Sequence, residues 1–173
     1  SGEALQRKGD LAGALAAFRE GQETALTLAA TDPANLEWQY DVAIGHREIG
    51  DVLRASKDLA GAAAAFRRAL AIDDMLIARD PGNETWRGHF DELGQRLGEV
   101  LEEAGDTAGA RETFRRVAEF AETTSAAFAG DDWLDRVIGA RRRLAALEIA
   151  ADDTAAARAT LEELVRISRR STP

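Results

Sequence analysis

Cysteine is absent from the 173 residues, which excludes disulfides, thiolate nucleophiles and metal sites with cysteine ligands. Histidine occurs only twice, as His46 and His89, which leaves little for a histidine-based metal site. No run approaches roughly 18 apolar residues without a charge, so we expect no membrane-spanning segment. Lys and Arg total 22 against 31 Asp and Glu, a net charge of −9. Nucleic acid is therefore not expected as a partner, because binding it requires a dense cationic surface.

Proline and β-branched residues are scarce, whereas alanine fills 36 of the 173 positions. Alanine has the highest helix propensity, so the composition predicts an all-α chain. Arginine outnumbers lysine by 20 to 2, and together with the alanine content this favours a bacterial source with GC-rich coding.

A motif recurs along the chain with a period of 48 residues. Residues 10–14 (DLAGA) return unchanged at 58–62 and, with one substitution, at 106–110. Other markers keep the same register: Phe18, Phe66 and Phe114; Asp-Pro at 32–33 and 80–81; and Trp38 and Trp86, followed at an offset of 47 by Trp133. Each period has room for two helices, and the pattern predicts stacked helix hairpins because one hairpin cannot bury both of its faces.

Seven long helices are predicted, preceded by a partial first helix. Apolar spacings of three and four residues, with Asp-Pro pairs between hairpins and Gly-Asp pairs within them, place the helices at about 10–31, 34–56, 58–79, 82–104, 106–128, 131–150 and 153–170. Gly13 and Ala14 are expected where paired helices approach closely, and Phe18 in the gap to the next hairpin. Lys57 replaces a turn glycine, which predicts a strained or wider turn.

The pattern resembles the tetratricopeptide repeat. Ile49-Gly50 with Leu53 matches the first-helix part of its signature, and Ala62 with Phe66 matches the A-x3-F part. The resemblance implies a right-handed α-solenoid of stacked antiparallel helix hairpins, forming one domain over 1–173. Its units are a partial repeat at 1–33 and repeats at about 34–81, 82–129 and 130–173. The period exceeds the family's usual length by seven residues per helix, about two helical turns, so the packing face stays in phase.

The first residues align with the middle of a repeat. Gly2-Glu3-Ala4-Leu5 corresponds to Gly50-Asp51-Val52-Leu53, so the chain starts halfway along a first helix. We therefore expect it to be a segment of a larger protein.

The resemblance also implies a concave groove lined by first-helix residues, which holds a peptide or a partner helix. Carried onto this sequence, the groove-lining set is Arg47, Asp51, Arg54, Glu92, Gln95, Glu99, Glu102 and Arg142. The expected floor is acidic in its middle and basic at one end. The family's clamp for a C-terminal carboxylate uses Lys and Asn on this face. Asp51 and Glu99 stand at the Asn positions, which disfavours binding of chaperone tails.

No residue pattern indicates catalysis or a cofactor. Neither histidine has a Ser partner or a second histidine nearby, and no glycine-rich phosphate loop is present. Arg141-Arg142-Arg143 is open to interpretation as a phosphate or acidic-peptide site or as solvated surface. The solvated surface is favoured, because three adjacent helical residues splay apart. The three tryptophans are interpreted as inter-hairpin contacts in preference to a ligand-binding box.

The sequence therefore predicts a non-catalytic, cytoplasmic scaffold that binds a protein or peptide without a metal or cofactor. The alternative is self-association through exposed repeat ends, as an oligomerisation module of a larger multidomain signalling enzyme.

Overall fold

A computed structural model of the chain describes residues 1–128 and 131–170, which contain eight α-helices and no strand. In chain order the helices are α1 (Gly2–Arg7), α2 (Leu11–Thr31), α3 (Leu36–Ala55), α4 (Leu59–Arg79), α5 (Glu84–Glu103), α6 (Thr107–Ala127), α7 (Asp131–Ala150) and α8 (Thr154–Arg170). The all-α prediction is confirmed, with helix ends shifted by up to two residues. The expected repeat boundary at 129/130 lies outside the described residues.

The second helix of each of the first three hairpins begins with an aspartate cap. The carboxylate of Asp10 accepts from the backbone N–H of Gly13 at 2.9 Å. The same bond recurs, also at 2.9 Å, between Asp58 and Gly61 and between Asp106 and Gly109. A Cβ at Gly13 would lie 2.4 Å from Oδ2 of Asp10. The cap therefore accounts for a glycine at this position.

Helices α3 and α5 begin later than expected, because asparagine rather than proline sets their first turn. The side chain of Asn35 accepts from the backbone N–H of Trp38 at 3.2 Å, and Asn83 caps Trp86 at the same distance. Pro33 therefore lies in the preceding turn and not at the first helical position.

The turn between α3 and α4 has the same form as its glycine-containing equivalents. Lys57 has φ 66°, close to the 82° of Gly9 and the 80° of Gly105. The backbone N–H of Asp58 donates to the carbonyl of Leu53 at 2.9 Å, just as Asp10 donates to Leu5 at 3.0 Å. The turn is therefore strained and not wider, since a side chain is disfavoured at positive φ.

Aromatic rings of the second helices press against glycines of the first helices. A Cβ at Gly50 on α3 would lie 2.6 Å from the ring of Phe66 on α4. Gly2 on α1 stands in the same relation to Phe18 on α2, at 2.8 Å. Phe18 also shares a buried cluster with Val52 of α3, so it reaches the next hairpin as predicted. Glycine thus lets the two helices of a hairpin approach closely.

The chain divides into two compact units, Ser1–Val100 and Leu101–Pro173. In the first unit, α3 packs between α2 and α4, and its buried side chains include Val42, Ala43 and Val52. In the second, α7 packs between α6 and α8 around Trp133, Val137 and Ile167. Each unit therefore has its own core of helix-on-helix contacts.

Candidate functional site

The predicted groove residues of the first unit lie along two helices. Arg47, Asp51 and Arg54 follow one face of α3, and Glu92, Gln95 and Glu99 lie on α5. These positions recur every three or four residues, so each set forms a stripe on its helix. We call the two stripes, with Arg96 of α5, the first-helix surface.

Three ion pairs connect α3 to α5 across this surface. Arg54 Nη1 donates to Glu99 Oε2 at 2.8 Å, and Arg96 Nη1 donates to Asp51 Oδ1 at 2.7 Å. Arg47 Nη1 lies 3.8 Å from Glu92 Oε1. In all three pairs the partners are 45 residues apart. We call this set the ion-pair ladder.

The ladder alternates in sign along both helices. On α3 the order is basic, acidic, basic, and on α5 it is acidic, basic, acidic. Three arginines thus oppose three carboxylates, and their formal charges cancel. The acidic centre expected from the sequence is therefore wrong for this unit, because that expectation left out Arg96.

Two carboxyl groups of the ladder respond differently to their surroundings. Burial raises the pKa of Asp51 despite the nearby Arg96 and Arg47. Burial also acts to raise the pKa of Glu92, but the hydrogen bonds from Arg96 and the charges of Arg96 and Arg47 outweigh it and lower the pKa. Arg96 donates to Glu92 Oε1 at 2.7 Å, so one guanidinium serves both carboxylates.

Arg96 is the main residue of the surface that the sequence prediction missed. The sequence contains a pattern that indicates these ion pairs, since residues of opposite charge recur at i and i+45 three times between positions 47 and 99. That spacing is three residues, or about one helical turn, short of the repeat. A comparison at the repeat period itself pairs Arg47 with Gln95 and does not find the ladder.

Gln95 takes a different role from the charged residues of the first-helix surface. Its side-chain amide donates to Asp91 Oδ2 at 3.2 Å along α5. Asp91 is fully buried, so Gln95 contributes to satisfying an interior carboxylate.

Glu102 and Arg142 belong to the second unit. Arg143 Nη1 donates to Glu102 Oε2 at 3.2 Å, and its guanidinium lies 5.9 Å from the ring centre of Phe114. Arg141 donates to Glu122 on α6 at 2.5 Å, while Arg142 between them is exposed. The basic run thus points in several directions, as predicted from its helical spacing.

A buried polar pair lies between α4 and α5. His89 Nδ1 is 2.8 Å from Asp73 Oδ2, and the two side chains are 4% and 0% exposed. The edge of the His89 ring meets the Tyr40 ring at 5.1 Å between centres. Burial raises the pKa of Asp73, and the hydrogen bond from His89 offsets part of this rise.

The sequence prediction missed this pair, although Asp73 gave a signal. It interrupts an apolar stripe between Leu70 and Leu76, both of which are buried. The equivalent positions in neighbouring repeats hold Ala25 and Ala121. A charged residue where the repeats use alanine indicates a buried partner.

An apolar groove runs along the α7–α8 hairpin. It has a volume of about 550 Å³ and is lined by Ile149, Asp152, Thr154, Ala157, Arg158, Leu161, Glu162 and Val165. Ile149 is 61% exposed, Val165 51% and Leu161 44%. We call this feature the α8 groove. Three large hydrophobic side chains are therefore exposed within one groove.

Within residues 1–128 and 131–170 no group of three or more His, Asp or Glu side chains is arranged to hold a metal ion. None of the helices described there is long and apolar enough to span a membrane.

The tetratricopeptide repeat family model matches residues 95–121, which run from α5 into α6. The crystal structure of MamA matches with a TM-score of 0.52 and 14% identity, over 98% of this chain and 95% of that one. A crystal structure of the Podosopora anserina putative kinesin light chain, with nearly identical TPR-like repeats, matches with a TM-score of 0.53 and 13% identity, over 99% and 93%. No curated protein matches.

Antiparallel helix hairpins with capped turns and glycine-to-aromatic contacts define an α-helical repeat protein. The family match over residues 95–121 and the similar solved structures support the resemblance drawn from the sequence, and they show a helical fold like that of tetratricopeptide repeats. Proteins with this fold are typically non-catalytic interaction scaffolds. The 48-residue period stays a prediction, because the family match covers residues 95–121 alone.

Proposed function

We propose that the protein is a non-catalytic scaffold that binds a peptide segment of a partner on the first-helix surface. The ion-pair ladder is the observation that supports this proposal. It holds α3 and α5 in one register, so the surface is ordered before a partner arrives and the partner bears most of the ordering cost. Glu102 on α5 and Arg142 on α7 lie in the second unit, and we propose them as peptide-contacting residues of that unit by itself.

The ladder also defines the chemistry of the partner. Its side chains remain between 24% and 41% exposed, so each keeps an accessible edge while paired. Because the formal charges of the ladder cancel, the ladder itself adds no net attraction for an acidic or a basic peptide. The alternating signs instead select a segment whose own charges alternate, so that each side chain meets an opposite one.

Peptide selection followed by polarity exchange tests this proposal. Peptides are selected from a random library on the full chain, and their affinities are then measured for Arg54→Glu/Glu99→Arg. The double variant keeps an ion pair but reverses its direction, so the fold is retained and the surface pattern is changed. We expect binding to weaken by about tenfold or more.

Arg67→Glu on the exposed face of α4 is the matched control, and it should bind the selected peptides like the wild type. Helical circular dichroism checks that all three proteins are folded. Peptides that bind the exchanged variant at full strength, or that lose binding to the Arg67 variant alone, contradict the proposed surface.

A second candidate function is self-association, which the exposed apolar side chains of the α8 groove favour.

We also propose that the chain works in the cytoplasm as one domain, serving as a module of a larger signalling protein.

A further inference from the structure

Exposed apolar side chains are concentrated on the last helix hairpin. Among the described residues, the large hydrophobic side chains that are exposed are Leu26, Leu28, Ile149, Leu161 and Val165. The last three line the α8 groove. Leu161 and Val165 are one helical turn apart on α8, so they form a ridge. The ridge borders the α8 groove, which Ile149 of α7 also lines.

The first hairpin shows what this kind of surface contacts. Ala157 and Leu161 occupy the repeat positions of Ala14 and Phe18. There the cluster of Ala14 and Phe18 is completed by Val52, a residue of the neighbouring helix α3, and Phe18 is only 8% exposed. Leu161 is 44% exposed in the corresponding place. The surface of α8 around Leu161 is thus open where the equivalent surface of α2 is covered by a neighbouring helix.

The charges beside the groove are self-complementary. Arg158 and Glu162 lie one turn apart on α8, paired at 2.8 Å, with their side chains 80% and 66% exposed. When two copies of α8 run antiparallel, with their exposed faces together and a two-fold axis level with residue 160, Arg158 of each copy faces Glu162 of the other. The same arrangement brings the two Leu161 side chains together beside the axis.

We propose that the α8 groove is a homodimer interface, in which α8 of a second copy seats its Leu161–Val165 ridge against Ile149. This inference rests on the self-association candidate and gives it a surface and a symmetry. The two-fold arrangement buries the exposed apolar side chains of both copies and forms two equivalent Arg158–Glu162 contacts between them.

Sedimentation equilibrium of the full chain from about 1 μM to about 1 mM tests the interface. The wild type should show a monomer–dimer equilibrium, and Leu161→Lys should weaken dimerisation by about tenfold or more. Leu26→Lys is the matched control, since Leu26 is 47% exposed on α2 outside the groove, and it should dimerise normally. A wild type that stays monomeric throughout this range overturns the proposal, as does a Leu161→Lys variant that dimerises unchanged.

Charge reversal tests the two-fold geometry. Arg158→Glu alone places two acidic pairs across the axis, and Glu162→Arg alone places two basic pairs there. Each variant should therefore self-associate more weakly than the wild type. An equimolar mixture of the two should form a heterodimer of wild-type strength, because both cross-contacts then join opposite charges. A mixture that does not recover overturns the two-fold arrangement.

The peptide-binding proposal and the homodimer proposal can be contradicted independently of each other. Peptides selected on the full chain are measured against Leu161→Lys, which leaves the first-helix surface intact. Unchanged peptide binding with lost dimerisation is the expected result. If the peptides instead bind the α8 groove, they will lose affinity for this variant, which contradicts the homodimer assignment and favours a foreign helix as the occupant.

Discussion

Arg96 on α5 donates to Asp51 on α3 at 2.7 Å and to Glu92 on its own helix at 2.7 Å. This one guanidinium therefore links the first helices of two successive hairpins and joins two of the three rungs of the ladder. Its side chain is 34% exposed, so the pairs are partly shielded from water. Partial shielding strengthens an ion pair relative to a fully exposed one.

Exchanging the charges of Asp51 and Arg96 should separate the electrostatic contribution of the pair to the free energy of unfolding from the contribution of its packing. Asp51→Arg and Arg96→Asp should each lower the free energy of unfolding, because each places like charges together. The double variant should recover about 1 kcal/mol of the combined loss. Urea denaturation of the four proteins gives this coupling energy, and strictly additive losses mean that the pair contributes nothing.

Acidification should weaken the ladder through Glu92. Its pKa is lowered in the folded chain, so its ionised form contributes stability above the pKa of the unfolded state. That contribution is lost as the pH falls through the folded-state pKa. The unfolding free energies of the wild type and Glu92→Gln, measured from about pH 6 to about pH 3, should therefore converge at the acid end. A constant difference across this range argues against the Arg96 and Arg47 contacts.

Adding a methyl group at Gly50 should destabilise the α3–α4 hairpin. A Cβ there would lie 2.6 Å from the ring of Phe66, and Gly50→Ala should cost about 1–3 kcal/mol. Gly21→Ala is the control, since Gly21 lies within α2 and a Cβ there meets nothing within 4 Å. It should stabilise by about 0.5–1 kcal/mol through helix propensity. Thermal unfolding of both variants checks that Gly50→Ala lowers the stability and Gly21→Ala raises it.

Relieving the positive φ of Lys57 should stabilise the turn between α3 and α4. Lys57→Gly should raise the free energy of unfolding by about 1 kcal/mol, because glycine adopts φ near 66° without steric cost. Lys8→Gly serves as the comparison, since Lys8 has an ordinary φ of −83°, and it should destabilise slightly. Equal effects at the two positions count against strain at Lys57.

The buried Asp73–His89 pair should be more sensitive to loss of one partner than of both. Asp73→Ala leaves His89 Nδ1 without an acceptor and should cost about 1–3 kcal/mol. Adding His89→Leu to that variant should restore most of the loss, because two apolar side chains need no partner. Alanine occupies the equivalent position 121 of α6, where it is fully buried. A double variant less stable than the single one contradicts this account.

The sequence predicted the fold well because its signals are local and repeated. Asp10 and Asp58 cap their helices in the same way, and Gly50 faces Phe66 as Gly2 faces Phe18. Capping depends on residues three apart, and the hairpin contact recurs at a fixed offset. Such features are visible without knowledge of tertiary contacts.

The electrostatics of the site were harder to predict. The ladder depends on which helical turn of α5 lies beside Asp51, and the repeat period alone does not specify that turn. The prediction therefore chose Gln95 and overlooked Arg96. The partner of Asp73 was hidden for the same reason, because His89 is 16 residues away on a different helix.

Mapping a bound peptide onto the chain shows whether the first-helix surface is the binding site. Backbone amide chemical shifts are recorded for the full chain as a library-selected peptide is titrated in. We expect saturable shifts concentrated on α3 and α5, at Arg47, Asp51, Gln95 and Arg96, with little change on the exposed face of α4. Shifts confined to α4, or to α2 and its exposed Leu26, would contradict a partner site on the first-helix surface.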